Sequence, residues 1–156
     1  MSRPKYALPE IERRWLVARE LAQPLLHDQS SRITDTYLAN SRLRLRRIDD
    51  AEGRSVFKFC RKYGDRQGPV ESITNLYLDA AEYHLLASLP GDRVIKHRHR
   101  QTAGAIDVYG SNALHVFEIE FDALDAAIRY TPPAFVGQEI TDDLNYSGLM
   151  LARQFR

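Results

Sequence analysis

From Pro9 to Trp15 the chain reads Pro-Glu-Ile-Glu-Arg-Arg-Trp, and this short run constrains the fold more than any other. Alternate side chains of an extended strand project from one face. Glu10, Glu12 and Arg14 therefore share a face, with Ile11, Arg13 and Trp15 on the other. The same alternation with charge recurs at Arg42-Arg44-Arg46, Lys58-Cys60-Lys62, Lys96-Arg98-Arg100 and Glu118-Glu120. Five strand-like segments each carry a one-sided charged row. The opposite faces, Leu43/Leu45, Phe57/Phe59 and Phe117/Ile119/Phe121, are apolar and need a cover.

Charged rows also occur on the wet face of an ordinary antiparallel sheet. Three features set these apart. They use long Arg, Lys and Glu side chains rather than Ser and Thr. The Arg and Lys rows are of one sign, so neighbours along a strand repel. The apolar faces outnumber the helices available to cover an open sheet. Rolling the sheet into a barrel, charges inside and helices outside, reconciles these demands, and about eight strands leave room for side chains or one small ligand.

The remaining segments fit that scheme. Ile33 to Leu38, Glu71 to Leu78 and Ala105 to Tyr109 read as further strands. Asp49 to Gly53 is a turn joining Arg42–Ile48 to Ser55–Lys62 as a hairpin, and Gly64 to Pro69 reads as a loop. Asp79 with Glu82 forms a capping box for a helix to Leu89. Asp122 is placed to cap a short helix over 123–129, and Thr141 to Asp143 to open a C-terminal one. The strands follow no regular βαβ rhythm. The expectation is a single α+β domain over 1–156, an antiparallel eight-stranded barrel with helices packed outside.

Composition narrows the partners. The chain has 156 residues, 28% of them charged, yet a net charge of only +1, so charge sorting matters rather than its sum. The basic rows are matched by acidic ones and lack interleaved exposed aromatics, which argues against a nucleic-acid partner. No segment reaches the length of a membrane span, and no signal peptide is evident. Cys60 is the sole cysteine, so no intrachain disulfide forms, and a reducing, cytoplasmic setting is expected. It reads as a passive small residue rather than a nucleophile.

A lumen of both signs suits a polyphosphate held with metal. Arg and Lys grip phosphate oxygens. Carboxylates hold Mg²⁺ or Mn²⁺, hard cations that bridge to phosphate. Glu10/Glu12 and Glu118/Glu120 supply oxygens for one or two such ions.

These rows, in this order, resemble the CYTH family, the triphosphate tunnel metalloenzymes. Glu10-Ile11-Glu12-Arg13-Arg14 is similar to its E-x-E-x-K signature, and Arg42 to Arg46 to its R-x-R strand. Phe57 to Lys62 resembles the strand ending in a tunnel lysine, and Lys96-His97-Arg98 the K-x-R strand. Ile106 to Gly110 resembles D-V-F-x-G, Phe117 to Phe121 the E-x-E-F strand, and Pro133 to Thr141 the P-x-x-G-x-E-V-T segment. The resemblance implies an eight-stranded tunnel binding a triphosphate with Mg²⁺ or Mn²⁺. Glu10, Glu12, Glu118 and Glu120 would hold metal, with Asp107 and Glu139 as further candidates. Arg44, Arg46, Lys62, Lys96 and Arg98 would hold phosphates, with Arg14, Arg42, Lys58 and Arg100 as lesser ones. Glu10, Glu12 and Arg14 would carry the catalytic signature. The implied activity is hydrolysis of tripolyphosphate to pyrophosphate and phosphate by a monomer or homodimer. Alternatives are thiamine or nucleoside triphosphate hydrolysis, adenylate cyclisation, and a non-catalytic polyphosphate or nucleotide sensor. Two departures stand out. Arg14 replaces the signature lysine, and the strand face Glu71-Ile73-Asn75-Tyr77 carries a single acid.

Overall fold

The computed structural model describes residues 4–155, with the backbone alone over 64–67. The elements run β1 (Leu8–Val17), α1 (Arg19–Ala22), β2 (Ser31–Leu38), β3 (Leu43–Asp49), β4 (Ser55–Gln67), β5 (Val70–Leu78), α2 (Ala80–Ala87), β6 (Gly91–Arg100), β7 (Ala105–Tyr109), β8 (Leu114–Glu120), α3 (Leu124–Arg129), β9 (Val136–Glu139) and α4 (Gly148–Gln154). Short 3₁₀ turns at Gln23–Leu25 and Leu144–Tyr146 precede β2 and α4.

Eight antiparallel strands close on themselves in the order β5-β4-β3-β2-β6-β7-β8-β1, and β1 pairs back with β5. Closure requires one inward parity all the way round, because a one-residue slip would turn a strand inside out. The register meets that condition. Glu12 lies opposite Glu120, Arg98 opposite Asp107, Asp35 opposite Arg46, Arg44 opposite Cys60, and Glu10 opposite Glu71. The charged rows all share this inner wall.

The outer wall is apolar. Trp15, Val17, Ala22, Ile106, Val108, Phe117 and Ile119 form a buried cluster, covered by Leu25, Leu26, Tyr130, Phe135 and Val136. The Trp15 ring lies 5.9 Å from both Phe117 and Tyr130, with the Arg13 guanidinium 4.7 Å above it. Arg13 points outward and ties the cover down. It donates to the carbonyls of Ala127 and Tyr130, at the end of α3, and to both Glu139 carboxylate oxygens at 2.8 and 2.6 Å.

The second cluster closes one end of the barrel. The inward-parity residues Leu16, Val94, Tyr109, Leu114 and Val116 pack against Ile140, Leu151 and Ala152. Helix α4 therefore lies across that mouth. Gly148 lets it approach, since a Cβ there would collide with the Tyr37 hydroxyl.

Three sequence expectations need correction, and one strand is added outside the expected eight. β4 runs to Gln67, so the loop expected over 64–69 reduces to a tight turn, with Gln67 paired to Val70. A ninth strand, β9, adds to β1 outside the closed barrel. The C-terminal helix is split, with Asp143 capping the 3₁₀ turn and Ser147 capping α4. Asp122 does not cap α3, whose N-cap is Ala123 without a side-chain bond. The Asp79–Glu82 capping box forms as expected.

Candidate metal and phosphate tunnel

The lumen is a cavity of about 550 Å³. Its walls carry Glu10, Glu12, Glu71, Glu118 and Glu120 together with Arg14, Arg42, Arg44, Arg46, Lys62 and Lys96. Asp142, Asp143, Ser147 and Leu149 of the C-terminal segment line the same space.

The charges are sorted. Carboxylate oxygens of Glu12, Glu118 and Glu120 lie within 4.8 Å of one another. Burial and the neighbouring Glu118, Glu10 and Glu12 push the Glu120 carboxyl above the usual range. An all-oxygen donor set suits Mg²⁺ or Mn²⁺. Glu118 is better compensated. Burial pushes it up, but Arg98, Lys96 and Arg14 outweigh that and hold it well below the usual range. Arg98 donates to Glu118 at 2.7 Å.

Across the tunnel the guanidinium groups dominate. Asp35 is buried and takes Arg46 in a bidentate bond, 2.6 and 2.7 Å, with Arg44 3.8 Å away. Burial pushes Asp35 up, and the two arginines more than reverse it, leaving it far below an ordinary carboxyl. The Nε atoms of Arg44 and Arg14 are buried without a hydrogen-bond partner. Buried donors are normally satisfied, so the unmet Arg44 Nε in this cationic wall suits an anion. Arg14 is otherwise engaged: Nη1 donates to the Tyr146 carbonyl at 2.8 Å, and Nε lies 3.6 Å from Glu118.

Asp107 has the inward parity but is fully buried and does not line the cavity. It takes Arg98 in a bidentate bond, both contacts 2.7 Å, and Lys96 at 2.5 Å. Its oxygens accept from two cations, both phosphate candidates. Glu139 faces away from the lumen, because its register partner is Trp15 on the outer wall, and its carboxylate is bound by Arg13. Arg100 has the inward parity but is exposed at the end of β6 and does not line the cavity. Lys58 also stays off the lining, with its ammonium 5.0 Å over the Tyr77 ring.

The sequence reading missed Asp35 and gave Glu71 no role. Asp35 had a signal: the lone acid of its strand, of the same parity as Tyr37. Tyr109 and the C-terminal wall had none, since both depend on how α4 docks. Cys60 is buried on the inner wall beside Arg44, and burial pushes its thiol up. His99 is buried outside the barrel, and its Nδ1 accepts from the His27 backbone N–H.

A crystal structure of the inorganic triphosphatase NE1496 matches with TM-score 0.55 and 23% identity, covering 92% of this chain and 93% of that one. A second NE1496 structure, described as a hypothetical protein, gives 0.57 and 25%, covering 94% and 99%. The chain has the CYTH-type triphosphate tunnel fold. HpAC1 from Hippeastrum, a putative adenylyl cyclase with a dominant triphosphatase activity, overlaps more loosely, at TM-score 0.46 and 11% identity over 76% of this chain and 82% of that one. No family model matches the chain, and no curated protein matches it. Among the described residues no helix is long and apolar enough to cross a membrane.

Proposed function

We propose that this tunnel hydrolyses a triphosphate with Mg²⁺ or Mn²⁺, its substrate inorganic tripolyphosphate and its products pyrophosphate and phosphate. The observation that carries the reading is the sorting of charge across one closed lumen. The Glu12/Glu118/Glu120 cluster lies on one side, and Arg44 and Arg46, with the Arg44 Nε lacking a hydrogen-bond partner, on the other. The likeness to an inorganic triphosphatase supports it.

The chemistry follows from positioning. Phosphoryl transfer needs little covalent help from a protein, so fixed charges and in-line placement supply most of the rate. Arg44, Arg46 and Lys96 hold phosphate oxygens, with their side chains pre-set by Asp35 and Asp107. Glu12, Glu118 and Glu120 hold the ion. When bound, it neutralises charge on the transferring phosphoryl group and acidifies water. Arg14 stands beside the acidic cluster, its Nε 3.6 Å from Glu118. Helix α4 closes one mouth, which favours a substrate without a bulky tail.

Phosphate release from tripolyphosphate is the test, run with Mg²⁺, Mn²⁺ and EDTA, with ATP as a parallel substrate scored for phosphate and for cyclic AMP. Release that needs metal and falls at least tenfold in E120Q is expected. Binding of tripolyphosphate without any turnover would replace the enzyme by a sensor, and cyclic AMP as the main product would replace it by a cyclase.

A further inference from the structure

Glu10 and Glu71 face each other across the β1–β5 seam that closes the barrel. Two carboxylates placed so close repel unless a cation lies between them. Here the chain supplies the cation itself. Lys62 reaches from β4 and donates to Glu10 at 3.1 Å and to Glu71 at 2.7 Å.

We propose that Lys62 takes the place of a second divalent cation, so that the tunnel binds one metal ion, at Glu12, Glu118 and Glu120, and not two. This rests on the metal-tunnel reading above and deepens it.

The chemistry of the two cations explains the substitution. Mg²⁺ or Mn²⁺ at the seam would need the Glu10 and Glu71 oxygens at about 2.0–2.2 Å in near-octahedral order. Lys62 Nζ stands between those oxygens, 3.1 Å from Glu10 and 2.7 Å from Glu71. An ammonium has three N–H groups. Two serve the carboxylates, which leaves one for a phosphate oxygen, so Lys62 bridges protein carboxylates to substrate as a metal ion would. It is held in place by carboxylates on two strands, Glu10 of β1 and Glu71 of β5. Unlike a free ion, it is tethered, carries a single charge and does not depend on ion concentration. A second ion would have to expel this ammonium from both partners. Glu12, Glu118 and Glu120, by contrast, bring three carboxylates within 4.8 Å of one another, so the exchangeable ion belongs there.

The test is a Mn²⁺ titration of the whole chain without substrate, following the free-ion signal by electron paramagnetic resonance. One Mn²⁺ per chain is expected for the wild type and for K62R, which keeps the charge. K62M keeps the stem without the charge and should take up a second ion. Two ions in the wild type, or still one in K62M, would overturn the proposal while leaving the metal tunnel intact. No ion bound by any form would overturn the metal reading itself. Circular dichroism confirms that each variant is folded, and E12Q, expected to lose the single ion, identifies its site.

Discussion

Asp107 offers the sharpest test, because two roles for it predict opposite results. As a metal ligand it would matter chiefly when metal is bound. As the anchor of Lys96 and Arg98 it matters always. In D107N the shape is kept and the charge removed, so two buried cations lose the carboxylate that compensates them. Breaking a buried ion pair from one side costs about 3–5 kcal/mol. The nearby Glu118, which already accepts from Arg98, compensates in part, so the lower end applies. A chain of this length loses roughly 2–4 °C per kcal/mol, which gives a fall of roughly 10 °C in metal-free thermal melts. The acid limb gives a second readout. Burial pushes the Asp107 carboxyl up, but Lys96 and Arg98 hold it below its ordinary value. Its contribution is thus fully present above the unfolded pKa, near 3.9, and fades as pH falls through the lower folded value. D107N should flatten that part of the stability curve. Mn²⁺ should still raise the melting temperature of D107N as it does the wild type. A melting temperature within about 2 °C of wild type, or loss of the Mn²⁺ effect alone, would refute the anchor.

The carboxylate cluster predicts a contrasting variant. Glu120 is pushed up, first by burial and then by Glu118, Glu10 and Glu12, so its charge opposes folding as pH rises through its folded pKa. E120Q should melt no lower than wild type at neutral pH without metal, yet lose the Mn²⁺-dependent rise. G148A places a methyl against the Tyr37 hydroxyl. Overpacking of about 1–3 kcal/mol should loosen α4, read as faster proteolytic release of the C-terminus. In R14K the bond to the Tyr146 carbonyl is lost, and turnover of tripolyphosphate should fall with little change in melting temperature. Cys60 should resist a thiol reagent in the native chain and react fully in denaturant, because burial hides the thiol and raises its pKa.

The barrel was legible because strand periodicity and charge coincide. Each of Glu10/Glu12, Arg44/Arg46, Lys96/Arg98 and Glu118/Glu120 sets a parity, and a closed sheet must join those parities into one inner wall. Sequence alone does not reveal which of the inner carboxylates is already spent. Asp107 lies within hydrogen-bond reach of Lys96 and Arg98, while Glu118 is shared between Arg98 and the carboxylate cluster. Both sit in similar strand contexts, and only register and tilt separate their duties. Glu139 illustrates the same limit. Its motif placed it near the site, but pairing with Trp15 turned it outward to Arg13. The ends of β6 and β4 carry inward-parity cations, Arg100 and Lys58, that fall beyond the cavity, because parity fixes a face and not a depth.

Stability and function draw on different walls of this barrel. The outer clusters around Trp15, Phe117 and Leu151 bury apolar surface, at about 25 cal/mol per Å², and α4 adds its face at one mouth. The lumen contributes little net stability, since buried ion pairs roughly offset their own desolvation. What the inner pairs provide is orientation. Asp35 fixes Arg46, Asp107 fixes Lys96 and Arg98, and Glu10 with Glu71 fixes Lys62. Each acid on that wall either holds a cation ready for phosphate or belongs to the group that wants a metal ion. Two inner donors, Arg14 Nε and Arg44 Nε, are buried without a hydrogen-bond partner. A tunnel arranged this way is poised before substrate arrives, which is how a fixed electrostatic site lowers a phosphoryl-transfer barrier without moving parts.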